Sequence, residues 1–291
     1  MKSITIIGAT GQLGLPVTKE LNKKGVKVKA VVRDVDNAKT LLPEGVEIVY
    51  GDVADKNSLK EALIDTDTIY LSLNTTNWDE EAPFHTEREG IINIIEVSRE
   101  LGVNHIIQIL GIDSSNPEFA VKGLEYKTNR IRKPAMDYMK ASGINYTYLH
   151  CSFFLDSFPV FIQGNEFSII GNHQYPMYYT NTIDLAENIY NTIGNSDTYN
   201  KSFTIQGKEG MSFPDAARIF LSEFNAEVQV KEYPIEIIHQ LGLPSVEEEQ
   251  FMEQLLTYVE QLKEEQISES TWKVLGEPQL SIKQFAKTLV S

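Results

Sequence analysis

Short apolar runs alternate with amphipathic segments over the first 150 residues, and this alternation limits the fold more than any other feature of the chain. The apolar runs are rich in β-branched residues and predict strands, while the segments between them have helical spacing. Strands and helices repeated at this interval form parallel βαβ units with right-handed crossovers. Strands are predicted at 3–7, 27–32, 46–50, 68–73, 104–110 and 145–150, and helices at 12–24, 58–63 and 87–101.

The alternation stops after about residue 150, where an aromatic-rich stretch follows. No linker rich in glycine, serine or proline separates the two halves. We therefore predict an α/β protein: a doubly wound, parallel Rossmann-like sheet in residues 1–150 and a smaller C-terminal α+β lobe in residues 151–291. The lobe is expected to pack on the sheet and not to fold independently. Its predicted helices are 181–193, 213–224, 247–263 and 282–289, and its predicted strands are 202–205 and 228–231.

The charge of the chain is strongly negative, because 41 acidic residues outnumber 26 lysine and arginine residues and leave a formal net charge of −15. A field of this sign repels phosphate polymers, so no nucleic acid is expected as a partner. A single cysteine, Cys151, excludes an internal disulfide and cannot build a metal site alone. No stretch approaches the ~20 apolar residues of a membrane span. We expect a cytoplasmic protein with neither metal nor membrane partner.

The stretch IIGATGQLG places Gly8, Gly11 and Gly14 between the first predicted strand and the first predicted helix. This order of strand, glycine-rich turn and helix is the context of a dinucleotide-binding loop. Gly8 permits the tight turn, Gly11 lets a pyrophosphate approach the backbone, and Gly14 lets the helix pack against the strand. The alternative is a turn that binds nothing, because the spacing matches the general fingerprint only in its last two glycines.

The ends of the next three predicted strands carry further candidates. Arg33 follows the second strand, where an arginine accommodates a 2′-phosphate and favours NADP over NAD. The alternative is a surface pair between Arg33 and Asp34. Asp52 and Val53 follow the third strand, where they could flank an adenine ring or form a simple turn. Asn74 follows the fourth strand, near the expected nicotinamide ribose, and the alternative is a turn asparagine.

The segments GATGQLG, GDVAD, ALIDTDTIYLSL, LGVNHIIQI and SGINYTYL occur in this order, with Arg33 at a strand end. Together they resemble the NmrA-like atypical short-chain dehydrogenase/reductases, and within these the NADPH-dependent quinone reductases. The resemblance covers about residues 3–150 and continues more loosely, with NTIDLAENI similar to a helix start of that family. It implies a Rossmann-like fold and NADP as cofactor, with NAD as the alternative. The implied cofactor contacts are Gly8, Thr10, Gly11, Gln12, Leu13, Gly14, Arg33, Asp52, Val53, Leu73 and Asn74.

The proton-transfer pair of the wider superfamily is missing. No Tyr-x-x-x-Lys lies at the expected place; the lysine position falls on Arg132, with Lys133 beside it, and the tyrosine position falls on Thr128 or Asn129. Since related reductases use a single lysine, Lys133 is the catalytic candidate, and the alternative is a solvated lysine. Pro134 implies that this helix is either kinked or begins near Lys133.

Aromatic residues could form an apolar slot over a nicotinamide ring, and Trp78, Phe153 and Phe154 are the candidates for a substrate pocket. Hydride transfer to a quinone needs such a slot more than a strong protein acid, because water can protonate the hydroquinone. The leading interpretation is therefore an NADP(H)-dependent reductase of quinone-like or conjugated carbonyl acceptors. The alternative is a non-catalytic, redox-sensing regulator that binds NAD(P) and a protein partner, and the third is an epimerase-like protein for sugar nucleotides.

Overall fold

The computed structural model describes residues 1–75, 77, 79–112, 127–243 and 245–290, without the side chains at 127 and 247. A seven-stranded sheet in the order β3-β2-β1-β4-β5-β6-β9 forms its centre, and every neighbouring pair in it is parallel. The strand order reverses at β1, which is where open α/β sheets bind ligands. The strands are β1 Ser3–Ile7, β2 Lys27–Val32, β3 Glu47–Tyr50, β4 Thr68–Leu71, β5 His105–Gly111, β6 Asn145–Cys151 and β9 Lys201–Ile205.

Helices cover both faces of this sheet and bury two separate apolar cores against it. On one face α1 packs against α6, and on the other lie α3, α4 and α5. The helices are α1 Gly14–Lys23, α2 Val35–Leu41, α3 Lys56–Ala62, α4 Ile91–Leu101, α5 Lys127–Ala141, α6 Thr182–Thr192, α7 Phe213–Phe224, α8 Val246–Gln261, α9 Glu269–Leu275 and α10 Ile282–Thr288. The architecture is the doubly wound, Rossmann-like one that the sequence predicts.

A second, three-stranded sheet belongs to the C-terminal half and has the order β10-β8-β7. Its strands are β7 Ile162–Gln163, β8 Glu166–Ile170 and β10 Gln229–Tyr233. Together with α7, α10 and a 3-10 turn at Leu155–Phe161, it encloses a third apolar core rich in phenylalanine. Further 3-10 turns lie at Ser196–Thr198 and Ile235–Gln240.

The structure differs from the sequence-based expectations in several places, and it contains elements that were not predicted, among them α2, α9, β7 and β8. The strand predicted at 202–205 in the C-terminal lobe is β9 of the main sheet, where it pairs with β6. The helix that holds Pro134 does not begin near Lys133; α5 starts at Lys127 and runs through the proline. The helix predicted over 87–101 begins with a π-helical turn at Thr86–Gly90 and becomes α4 at Ile91. The division of the chain at residue 150 stays a prediction.

Within the described part of the chain, no helix has both the length and the apolar content that a bilayer crossing requires. The same residues contain no cluster of three or more histidine, cysteine or acidic side chains arranged to hold a metal ion.

Candidate functional site

Two glycines of the loop after β1 are required by the fold itself. Gly8 has a φ of +95°, and a Cβ there would lie 2.2 Å from the carbonyl oxygen of Ser72. A Cβ on Gly14 would lie 2.0 Å from the carbonyl oxygen of Gly8. Both distances are far below van der Waals contact, and both obstacles are backbone atoms that cannot rotate away. These two glycines let the loop pass close to β4 and α1 start close to β1, as the sequence predicts.

Gly11 is different, because a side chain there would make one tight contact but no direct overlap with the protein. A Cβ on Gly11 would meet only the carbonyl oxygen of Gly8, at 3.3 Å, and no other atom within 4 Å outside its chain neighbours. The Gly11 amide donates a hydrogen bond of 3.1 Å to that same oxygen and closes the turn. Packing within the protein therefore requires glycine much less strongly at this position than at Gly8 and Gly14.

The N-terminus of α1 lacks the side-chain cap that most other helices of the chain have. Its N-cap residue is Leu13, no side chain bonds the first amides, and the first turn has no acidic residue. By contrast, Asp34, Asp55, Asn181 and Ser212 cap α2, α3, α6 and α7. In this turn the Leu15 amide donates to the Gly11 carbonyl oxygen at 2.9 Å and Pro16 has no amide hydrogen, so it is mainly the positive end of the helix dipole that favours an anion such as a phosphate. The residues present thus fit the pyrophosphate of a dinucleotide.

Arg33 directly follows β2, and its side chain is exposed. Asp34 does not pair with it; the Asp34 carboxylate accepts a hydrogen bond of 2.9 Å from the amide of Asn37 and caps α2. Among the described residues Arg33 has no ion-pair partner. A guanidinium at this place is available for an anionic ligand such as a 2′-phosphate.

The other predicted cofactor contacts differ in whether their side chains already have a partner within the described residues. The Asp52 carboxylate accepts a bond of 2.9 Å from the Ala54 amide and stabilises its own turn. Val53 is buried and would touch any side chain placed at Gly90. Gln12 donates a bond of 3.3 Å to the hydroxyl of Ser157. Thr10 is half-buried and Asn74 is exposed, and neither has a side-chain bond within the described residues.

A cavity of about 350 Å³ opens beside the loop, at the carboxyl ends of β4, β5 and β6. It brings together four residues predicted for the site, namely Leu13, Leu73, Phe153 and Phe154. The end of β5 and Cys151 add to this wall, and α8 covers the opposite side with the residues Leu255, Tyr258 and Val259. The lining is mainly apolar, and it combines residues from both halves of the chain. Trp78, the remaining pocket candidate, lies outside the described residues.

A buried ion pair forms the polar end of this cavity. Arg132 on α5 donates from Nη2 to Oε2 of Glu87 at 3.1 Å, and the two side chains are only 12% and 3% exposed. Glu87 lies in the π-helical turn and also accepts a 2.5 Å bond from the hydroxyl of Thr75. Arg132 donates from Nη1 to Asn129 at 3.2 Å, while its buried Nε has no hydrogen-bond partner within the described residues. The guanidinium is therefore fixed in place and retains a free donor.

Lys133, the catalytic candidate from the sequence, is not among the residues that line the cavity. Its side chain is 65% exposed and pairs with Asp137 at 2.9 Å, one turn further along α5. The neighbouring Arg132 lines the cavity instead. The sequence alone places Arg132 at the lysine position of the family but does not predict that its side chain lines the cavity.

Glu264 is a second buried carboxyl group in the cavity wall, and sequence reasoning missed it. It is 7% exposed, and the Ser152 hydroxyl lies 2.8 Å from Oε1 and 2.9 Å from Oε2. The amide of Tyr178 and Nε2 of Gln206 each donate to Oε2 at 3.2 Å. Loss of hydration on burial raises the pKa of Glu264, and these hydrogen bonds only partly oppose that rise. In the sequence, Glu264 is one acidic residue in the run KEEQ and has no distinguishing signal.

The chain is similar in sequence to several known proteins. A curated relative, the photosystem II assembly factor Ycf39 of Cyanophora paradoxa, is 25% identical over 232 residues, which are 78% of this chain and 70% of that protein. Matches to the next two relatives cover 57% and 65% of their lengths.

Two solved structures share the fold over 99% of this chain and 100% of their own. The NADPH-dependent quinone oxidoreductase of Escherichia coli, complexed with NADPH, has a TM-score of 0.76 at 19% identity. The triphenylmethane reductase of Citrobacter sp., complexed with NADP(H), has a TM-score of 0.75 at 18% identity. The model of the NmrA-like family matches residues 1–277. With nearly the whole chain matched, the protein belongs to the NmrA-like family.

Proposed function

We propose that the protein is an NADP(H)-binding oxidoreductase that reduces quinone-like or conjugated carbonyl acceptors by hydride transfer. The observation that carries the proposal is the apolar cavity beside the glycine loop, at the carboxyl ends of the strands, with the Arg132 guanidinium at one end. Reductases of a quinone and of a triphenylmethane dye, both structurally similar to this chain, support it.

The cofactor would lie across the loop from Gly8 to Gly14, with its pyrophosphate at the open N-terminus of α1. Arg33 would bind the 2′-phosphate, which favours NADP over NAD. Leu13 and Leu73 would contact the nicotinamide end, because both residues line the cavity. When bound, NADPH supplies a hydride from its dihydronicotinamide ring.

The chain's own residues would position the acceptor. Phe153, Phe154 and the α8 side chains form apolar walls that exclude water from a flat ring. Arg132 would stabilise negative charge that develops on an acceptor oxygen, since its Nη2 is held by Glu87 and its buried Nε has no partner among the residues that the structure describes. In this role Arg132 would replace the missing tyrosine as an electrostatic group.

NADPH oxidation measured with three acceptors tests this proposal. Menadione represents quinones, cyclohexenone represents conjugated ketones, and crystal violet represents cationic triphenylmethane dyes. We expect turnover with menadione that saturates with acceptor concentration. If NADPH binds tightly but no acceptor in the panel is reduced, the reductase function is wrong.

The second candidate is the non-catalytic regulator that binds NAD(P) and a protein partner. Two observations favour it: no Tyr-x-x-x-Lys pair lies at the expected place, and one relative is named as an assembly factor. Tight NADPH binding without turnover in the acceptor panel would make it the better interpretation.

Replacing Arg33 tests the choice of cofactor. In the intact protein we expect NADPH to bind more tightly than NADH, and Arg33→Ala to lose a charge-assisted contact worth roughly 1.5–3 kcal/mol. The affinity for NADPH should fall while that for NADH stays the same, as measured by nicotinamide fluorescence titration. Lys39→Ala, an exposed cation on the following helix, is the control. Equal affinity of the intact protein for both cofactors would contradict the assignment.

A further inference from the structure

We propose that Glu264 is the acid that donates the proton accompanying hydride transfer to the acceptor. This inference rests on the proposed reductase function and adds a residue that replaces water as the immediate proton source. Its basis is the position of the carboxyl group in the cavity wall, together with its hydrogen bonds. Glu264 belongs to the C-terminal half of the chain.

The hydrogen bonds distinguish the two carboxyl oxygens. Oε2 accepts two N–H groups, from the amide of Tyr178 and the side chain of Gln206, both at 3.2 Å. An oxygen that accepts two N–H donors is the poorer site for a proton, so the acid hydrogen belongs on Oε1. Among the described residues, the hydrogen-bond neighbour of Oε1 is the Ser152 hydroxyl at 2.8 Å, which can accept as well as donate. The proton on Oε1 can therefore be directed to Ser152 or to a bound acceptor.

The charges around Glu264 favour the neutral acid. Within the described residues, no lysine, arginine or histidine side chain bonds this carboxyl group. Burial of the group raises its pKa, and the nearby Tyr179 phenol has a raised pKa for the same reason. Cys151 lines the same cavity, and burial raises the pKa of its thiol too, which makes it a weaker acid still. Tyr258, from α8, is the phenol among the described residues that line the cavity, whereas Tyr179 lies outside this lining.

The other carboxyl group of the cavity cannot take this role equally well. Glu87 already accepts hydrogen bonds from Arg132 and from Thr75, and its negative charge balances the guanidinium. Two buried carboxyl groups thus have different surroundings, one paired with a cation and the other held by neutral donors. Environments that separate two acids in this way assign them different functions in an active site.

In the proposed step, one hydride and one proton are transferred to the acceptor. The acceptor gains a hydride, which carries two electrons, from NADPH as the reductant, and NADP⁺ is the oxidised product. The O–H bond of Glu264 breaks, and its proton forms a new O–H bond on the acceptor oxygen. The carboxylate that remains on Glu264 regains a proton from water. A cationic dye differs, because hydride addition alone gives its neutral product and needs no proton.

The pH dependence follows from this difference between acceptors. The step needs Glu264 in its protonated form, so turnover of menadione should be full below the raised pKa of Glu264 and fall as pH rises through it. Reduction of crystal violet should not show this decline. Among the described residues, the other charged groups facing the cavity are Glu87 and Arg132, which pair with each other.

The experiment compares Glu264→Gln with the wild type on both acceptors. Glutamine keeps the shape but cannot donate an acidic proton, so menadione turnover should fall about 100-fold or more while crystal violet turnover and NADPH affinity stay unchanged. Glu265→Gln, at the exposed neighbouring position, is the matched control and should behave as wild type.

A second readout does not depend on activity. Infrared spectra of the cofactor-free protein, recorded through a pH titration, should contain the C=O band of a carboxylic acid that takes up its proton above the pH range of exposed carboxyl groups. Glu264→Gln should remove this band and Glu265→Gln should retain it. Absence of this band in the wild type overturns the inference, as does an equal loss of both activities or no loss in Glu264→Gln. Failure of the wild type to reduce either acceptor would instead contradict the proposed reductase function.

Discussion

A Gly11→Val variant is expected to fold with nearly wild-type stability and to lose NADPH binding. A Cβ at this position would make one tight contact, 3.3 Å from the Gly8 carbonyl oxygen, which a shift of a few tenths of an ångström relieves, and the backbone of Gly11 is not in the left-handed region. A branched side chain would instead occupy the volume above the loop in which the pyrophosphate must approach the α1 N-terminus. Thermal unfolding and a fluorescence titration with NADPH measure the two properties separately.

Two further glycine variants make this result interpretable. Gly11→Ala should weaken NADPH binding less than Gly11→Val, because it adds a smaller group. Gly14→Ala should lower stability, since its Cβ would lie 2.0 Å from the Gly8 carbonyl oxygen and force the backbone to move. Unchanged NADPH affinity in a folded Gly11→Val protein would show that the loop is only a turn.

Arg132→Met should destabilise the protein by about 3–5 kcal/mol, because it leaves the buried charge of Glu87 without its partner. The loss is measured as the change in the free energy of unfolding by urea denaturation. Lys133→Met, at the next position of α5, is the control: its pair with Asp137 is exposed on both sides and should contribute less than about 1 kcal/mol.

A double variant separates the charge effect from packing. Arg132→Met combined with Glu87→Gln should recover much of the stability lost by Arg132→Met alone, since the remaining neutral side chain costs less to bury. Turnover with menadione should stay low in the double variant, because the guanidinium that faces the acceptor is still missing. Normal turnover of that variant would remove Arg132 from the proposed site.

Much of the central fold is predictable from the sequence because its signals are local. Each strand from β1 to β6 is a short apolar run, and each expected position agrees with the structure within a few residues. The location of β9 is not local information: 201–205 has the composition of a strand, but only its pairing with β6 places it in the main sheet. The short helix α2 lacks clear apolar periodicity and has only Ala38 fully buried, so the sequence gives little sign of it.

The residues of the candidate site also differ in how far local sequence signals predict them. Leu13, Leu73, Phe153 and Phe154 lie next to strand ends or to the glycine loop, so a strand prediction alone places them near one cavity. The sequence predicts a regular helix over 87–101, which does not direct Glu87 to the cavity. The π-helical turn at Thr86–Gly90 changes which side chains face inward. Glu264 reaches the cavity only through contacts with Ser152 and Gln206, more than 50 residues away in the chain.

The pairing of β9 with β6 has a consequence for how the chain folds as it is synthesised. Until residues 201–205 emerge from the ribosome, β6 has an open edge with unpaired backbone groups, and the apolar side of α1 lacks its partner α6. Closing this edge requires a crossover of about 50 residues, which is slow because contacts distant in sequence form late. The nascent chain therefore passes through a stage with an unpaired, exposed sheet edge that can aggregate. At this stage protection by a chaperone matters most.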